Sequence, residues 1–331
     1  MAVVDTGTLL QLCLGAAALV GLVRGAGLAV EKLLAIARYL GISEVLIGLF
    51  VLSFGTSLPE IGTHVIASTG ILSGTLDYAI ASGTVIGSNM GSSTAQQFLL
   101  VGVFLVGFGR YTVSWAFVRT SYLPMLATFV LLFAVAFDGT ISRLDGVALL
   151  VAFAAYAVYS FATTERIPAV PEAPAESRRV GYDAAVAVAA LGVVLVSAFV
   201  VLAVVETVVA SLQLSGSMLG VITIGIASAL PELSTVLESI RRKTPLLALG
   251  TLFGTNIVNP LIGIGLGGTM STYAVPSSVV FWDLPFKLLV GVAALGYVFT
   301  VGGGIVGRRE GTYLVFVYLI YISGRLVLFP A

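Results

Sequence analysis

Charge is what this chain has least of. Of its 331 residues only 10% are Asp, Glu, Lys or Arg, while 58% are hydrophobic. A soluble domain carries about 25% charged residues, so the shortage excludes a water-soluble fold and points to a chain that crosses a bilayer many times. Sixteen basic and sixteen acidic residues balance, which leaves no basic surplus for nucleic acid. A single cysteine, Cys13, excludes an intramolecular disulfide and, within an apolar run, reads as a free buried thiol. The Gly-xxxx-Gly-Lys-Ser/Thr pattern is absent, so neither nucleotide binding nor an ATP-driven pump is expected. No His-Glu-x-x-His and no nucleophile paired with a base occurs, so the chain is not read as an enzyme. No basic region precedes the first apolar run, unlike a cleaved signal peptide.

What the chain has instead is apolar runs of about 20 residues, the length that spans a bilayer as a helix. Ten are predicted, at 6–37, 44–68, 79–107, 118–137, 144–163, 184–211, 216–240, 245–270, 279–302 and 309–328. Only the stretch from Thr164 to Asp183 looks soluble, with Pro168, Pro171 and Pro174 among charged residues, and it reads as a linker. The expected organisation is a first membrane unit at 1–163, a linker at 164–183 and a second unit at 184–331. Five spans on either side make the second half enter from the opposite face. The fold class expected is therefore an all-α polytopic membrane protein of two inverted five-helix repeats. One set of connections holds Arg38, Arg110, Arg119, Arg166, Arg178, Arg179, Arg241, Arg242, Lys243, Arg308 and Arg309, and the other only Arg143, Lys287 and Arg325. The richer side is expected to be cytoplasmic. That puts the linker inside the cell, with both termini and the 69–78 loop outside.

The two halves share motifs as well as length. Gly55-Thr56-Ser57-Leu58-Pro59-Glu60 recurs as Ala227-Ser228-Ala229-Leu230-Pro231-Glu232, and Gly83-Thr84-Val85-Ile86-Gly87-Ser88-Asn89 as Gly250-Thr251-Leu252-Phe253-Gly254-Thr255-Asn256. Gly48 and Gly220 each lie twelve residues before their glutamate. An ionised side chain at the centre of a membrane helix costs roughly 2.5–3.5 kcal/mol, a cost incurred here twice at matching places. Brought together near the midplane, Glu60 and Glu232 would repel unless a proton or a cation lay between them. Carboxylates among hydroxyls and carbonyls suit hard cations such as calcium or sodium, not zinc or copper. Thr56, Ser57 and Ser228 add hydroxyls to the same turns. Ser88 and Ser92, like Thr255 and Asn259, are spaced to share a helix face. Pro59 and Pro231 are expected to disrupt their helices just upstream, freeing carbonyls near Ser53, Phe54, Gly225 and Ile226 as further ligands. The glycines at 83, 87, 250 and 254 would let helices approach closely. Membrane serines and threonines more often bond their own backbone than a ligand. His64 shares the face of Glu60, so it is either a packed, hydrogen-bonded residue or part of a proton relay. Glu31 and Glu206 read as structural or interfacial.

At these motifs the chain resembles the cation/calcium exchanger superfamily, and in size and ten-span layout it looks most like the prokaryotic sodium/calcium exchanger branch. The resemblance implies four cation positions in a diamond. Calcium would be held by Glu60 and Glu232 with Thr56 and Ser228 beside them, and Ser57, Ser88 and Thr255 match positions that ligate sodium. Three positions depart: Ala229 stands where the repeat of Ser57 would give serine, Ser92 where asparagine is common, and Asn259 where sodium-coupled members commonly carry aspartate. The expected activity is calcium export in exchange for sodium by alternating access. Proton-coupled exchange of calcium or another divalent cation is the alternative, and a cation channel a weaker rival. No cofactor is expected. The partners expected are inorganic cations and the lipid bilayer, with the chain acting as a monomer.

Overall fold

The computed structural model describes residues 6–164, 180–211 and 228–329. Those residues form ten helices: α1 Thr6–Leu40, α2 Glu44–Leu72, α3 Tyr78–Phe108, α4 Trp115–Ala136, α5 Arg143–Thr163, α6 Val180–Ser211, α7 Leu230–Arg242, α8 Pro245–Ser271, α9 Val279–Thr300 and α10 Arg308–Leu328. All but α7 contain a stretch long and apolar enough to cross a membrane. The seventh predicted span, 216–240, begins outside the described residues, as do Gly220, Gly225, Ile226 and most of the 164–183 linker. Short polar caps start the helices: the Ser43 hydroxyl accepts from the Val45 amide at 3.2 Å, Asp77 from Ile80 at 2.9 Å, and Ser142 exchanges bonds with Asp145.

Among the described residues five helices widen into π-helical turns, at Ile47–Leu52 in α2, Ala95–Leu100 in α3, Val118–Tyr122 in α4, Asn259–Ile264 in α8 and Val279–Asp283 in α9. Those in α4 and α9 both lie six residues ahead of a proline, Pro124 and Pro285. Such turns free backbone groups and recur at functional sites.

The centre of the molecule is α2, α3, α7 and α8, and the apolar window of α8 is wholly buried. Long α1 and α6 pack chiefly on each other, outside that centre. The remaining contacts come in matched sets: α3 lies against α10 as α8 lies against α5. Gly146 and Gly311 make both crossings possible, because a Cβ on Gly311 would stand 2.7 Å from the Gly102 carbonyl oxygen and one on Gly146 2.7 Å from that of Gly265. Two short antiparallel pairs repeat the match, Tyr111–Thr112 with Ile305–Val306 and Thr140–Ile141 with Tyr273–Ala274.

Three readings of single residues change. Cys13 is exposed, not buried, because it lies on the outward face of α1. Lys287 and Arg325 belong to no loop: Lys287 is fully buried within α9, and Arg325 lies in the last turn of α10 against Asp283 at 3.3 Å. Glu31 is structural, since it meets Arg242 of α7 at 3.3 Å while neighbouring Lys32 meets Asp183 of α6 at 3.2 Å.

Candidate cation site

The close approach of α2 and α8 sets the site. A Cβ on Gly48 would fall 2.7 Å from the Leu247 carbonyl oxygen, and one on Gly254 2.7 Å from the Leu49 Cα. Two backbones in near contact leave the following turns, bearing Thr56, Ser57 and Glu60, packed against the face that bears Thr255 and Asn259. Gly83 and Gly87 do not serve such an approach: a Cβ on Gly83 would lie 3.7 Å from Pro276, and one on Gly87 would meet no described atom within 4 Å.

The two prolines act differently. The final segment of α2 runs unbroken from Ser53 to Leu72 through Pro59, and its irregularity is the π-helical turn that ends just before Ser53. Pro59, which has no N–H, still cannot serve the Gly55 carbonyl four residues back. The Ser53 carbonyl accepts the Thr56 hydroxyl at 3.4 Å, and the Ser53 hydroxyl donates to the Leu49 carbonyl. Pro231 instead opens α7, where a missing N–H costs nothing, and puts Glu232 in its first turn.

Glu60 and Glu232 are both buried, at 4% and 0% exposure. Each feels the other half of the chain: Ser228 and the Glu232 charge act on Glu60, and Thr56 acts on Glu232. That exchange is reciprocal, glutamate to the hydroxyl of the opposite repeat. Yet among the described residues none of the four carboxylate oxygens completes a well-formed hydrogen bond, and neither do the Ser57 hydroxyl and both ends of the Asn259 amide. Buried polar atoms are normally satisfied, so a cluster of acceptor oxygens left over is the signature of a ligand set. The other hydroxyls are turned in a useful way. Thr56 donates to Leu52 at 3.0 Å, Thr255 to Thr251 at 2.8 Å and Ser92 to Asn89 at 3.3 Å. In Thr255 and Ser92 the proton is spent on the helix and the lone pairs stay free for a cation. Ser92, Thr255 and Asn259 are buried and Ser88 half-buried. Among the described residues no cluster of three His, Cys, Asp or Glu exists, so the donors are oxygens around two acids, which fits a hard cation. Gly225 lies outside the described residues.

His64 is a packed residue. Its Nδ1 lies 3.4 Å from the Tyr273 hydroxyl, which donates to the His64 carbonyl at 2.9 Å, and its Nε2 accepts from the Asn89 amide at 3.2 Å. The same amide donates to the Asn259 carbonyl at 3.1 Å, within the widened turn of α8.

Sequence reasoning missed a second polar cluster beside the site. The Lys287 ammonium donates to Ser93 at 2.7 Å and to the Asn256 amide oxygen at 3.4 Å, over the ring of Phe129. Asn256 also donates to Gln96 at 3.2 Å, and Asp283 accepts from the Tyr321 hydroxyl at 2.7 Å. Asp283 and Lys287 at i, i+4 inside an apolar run were the signal available.

Comparison with known proteins agrees with this architecture. The family described as "Sodium/calcium exchanger protein" matches residues 10–162 and 183–327. Inner membrane protein YrbG of Escherichia coli (strain K12) is 30% identical over 264 residues, covering 77% of this chain and 78% of that protein. Sodium/calcium exchanger MaX1 of Methanosarcina acetivorans is 27% identical, covering 92% of this chain and 95% of that protein. A solved structure of the sodium-calcium exchanger NCX_Mj, soaked with 2.5 mM Na+ and 1 mM Sr2+, shares the fold with a TM-score of 0.78 at 22% identity, covering 95% of this chain and 98% of that one. With both halves matched by the family and this fold around two buried glutamates, the chain belongs to the sodium/calcium exchanger protein family, a membrane cation/calcium exchanger.

Proposed function

We propose that this protein exports calcium in exchange for sodium by alternating access. It does so as ten transmembrane helices in two inverted five-helix repeats, 1–163 and 184–331. The observation that carries the reading is the pair of buried glutamates, each set against a hydroxyl of the opposite repeat. Calcium bridges Glu60 and Glu232 with Thr56 and Ser228 beside them, and Ser57, Ser88, Ser92, Thr255, Asn259 and the carbonyls of Ser53 and Gly225 complete the positions used by sodium. The matched helix contacts and strand pairs support the duplication. The Arg-rich connections put the linker in the cytoplasm and both termini outside. Because α1 and α6 pack mainly on each other, they form the bundle that slides over the fixed centre. The cations are substrates and no cofactor takes part.

One set of observations favours a second reading. Ala229, Ser92 and Asn259 take one hydroxyl and one acid from the sodium positions, which supports proton coupling through the glutamates themselves. Calcium uptake into vesicles holding the purified protein, driven by sodium or by pH gradients applied singly, separates the two. A sodium gradient alone should drive uptake, and Ala229→Ser should tighten sodium dependence. Uptake driven by pH in sodium-free buffer and indifferent to Ala229→Ser would replace sodium with protons. No uptake against a gradient under either condition would overturn the antiporter.

A further inference from the structure

Lys287 is an ammonium with no role in the exchange so far described. It is fully buried, and its Nζ is fixed by Ser93 of α3 at 2.7 Å, by Asn256 of α8 at 3.4 Å and by the Phe129 ring of α4, 4.2 Å from the centroid. Two oxygen acceptors and an aromatic face are surroundings fit for a cation. Asp283, one turn back on α9, is near enough to act on it electrostatically, but that carboxylate is shared with Arg325 at 3.3 Å and hydrogen-bonded by Tyr321 of α10. One carboxylate therefore serves two basic side chains. Its anchors adjoin the candidate ligands: Ser93 follows Ser92, and Asn256 follows Thr255. The ammonium therefore grips both α3 and α8 one residue away from the site.

We propose that Lys287 is a fixed counter-charge of the cation site, holding Asn256 in place and lowering affinity for a cation in proportion to that cation's charge. This rests on the reading of Glu60 and Glu232 as the site. Its use is release: two buried carboxylates would hold a divalent ion too tightly to turn over, and a tethered charge weakens calcium more than sodium. One unit charge about 10 Å from a bound ion, at an effective dielectric of about 20, would change monovalent affinity on the order of tenfold and divalent affinity on the order of a hundredfold. A group that merely packs would not follow valence.

The test is displacement binding on the purified full-length protein with sodium, calcium and lanthanum, in Lys287→Met and Asp283→Asn. Lys287→Met leaves Asp283 paired with Arg325 and Tyr321, and should tighten calcium by about the square of the factor for sodium, and lanthanum by about its cube. Asp283→Asn should weaken all three by the same rule, and it decides the matter if Lys287→Met does not fold. Lys287→Arg, which keeps the charge, should keep the wild-type ratios. Equal factors for the three ions, or no change in either variant while Glu60→Gln still abolishes calcium binding, would overturn the counter-charge and leave the site standing. Calcium binding that survives Glu60→Gln would instead overturn the site itself.

Discussion

Replacing Gly254 with alanine tests whether the α2–α8 crossing sets the site. The added Cβ would stand 2.7 Å from the Leu49 Cα, 2.7 Å from the Leu49 carbonyl oxygen and 2.8 Å from the Ser53 Cβ. Carbon atoms are comfortable at about 3.5–4.0 Å, so α2 must withdraw by about 1 Å. Two of the three obstacles are backbone, which no rotamer change relieves. Overpacking of this kind costs about 1–3 kcal/mol, enough to lower the melting temperature without unfolding the chain. Function should suffer far more. Glu60 is carried on the helix that moves, and a binding geometry tolerates only about 0.5 Å. Calcium uptake by Gly254→Ala in vesicles should fall by at least about tenfold at an unchanged amount of folded protein. The control is Gly296→Ala, an exposed position in α9 with no described atom within 4 Å of the new Cβ. It should transport as wild type and melt no lower. Wild-type uptake in Gly254→Ala, or equal damage in the control, would refute the argument.

Glu60→Gln and Glu232→Gln should each abolish calcium transport while the protein folds as well as or better than wild type, because one of two facing charges is gone. Vesicle uptake together with thermal unfolding in detergent checks both halves of that statement. Thr272 sits at φ 61° and ψ 165°, where a β-branched residue is strained. Thr272→Gly should therefore raise stability by about 1 kcal/mol, read as a higher melting temperature, and a lower one would show that its side chain outweighs the strain. Single cysteines placed in the 69–78 loop and in the 164–183 linker, in a Cys13→Ala background, should label from opposite faces of the membrane. Labelling from one face would remove the inverted duplication.

Most spans were legible because period and length are enough for a helix in lipid. The run 79–107 is α3 at Tyr78–Phe108, and 144–163 is α5 at Arg143–Thr163. The two buried glutamates of the candidate site were legible for a different reason: Glu60 and Glu232 carry a cost that apolar neighbours cannot offset, and the motif occurs twice. The π-helical turns were not legible, because a one-residue widening leaves apolar composition untouched. Pro59 misled, since a proline inside a long packed helix loses one hydrogen bond without breaking it. Lys287 was missed because its charge groups it with the loop residues although it lies inside the run 279–302, and its partners on α3, α4 and α8 are what explain it there. These partners are remote in sequence, and no local pattern announces them.

The hydrogen bonds around His64 have a consequence for biogenesis. Its ring and carbonyl wait for Tyr273, 209 residues later, and Asn89 for the Asn259 carbonyl, 170 residues later. At synthesis rates of about 5–20 residues per second, roughly 10–40 s separate the emergence of His64 from that of its partner. Through that interval the first five helices hold Glu60 without Glu232, an imidazole with Asn89 but without Tyr273, and strand segments without their mates. Unsatisfied groups of this kind are costly in lipid. A chain that stops after residue 163 would therefore carry Glu60, His64 and two strand segments whose partners all lie in the second half.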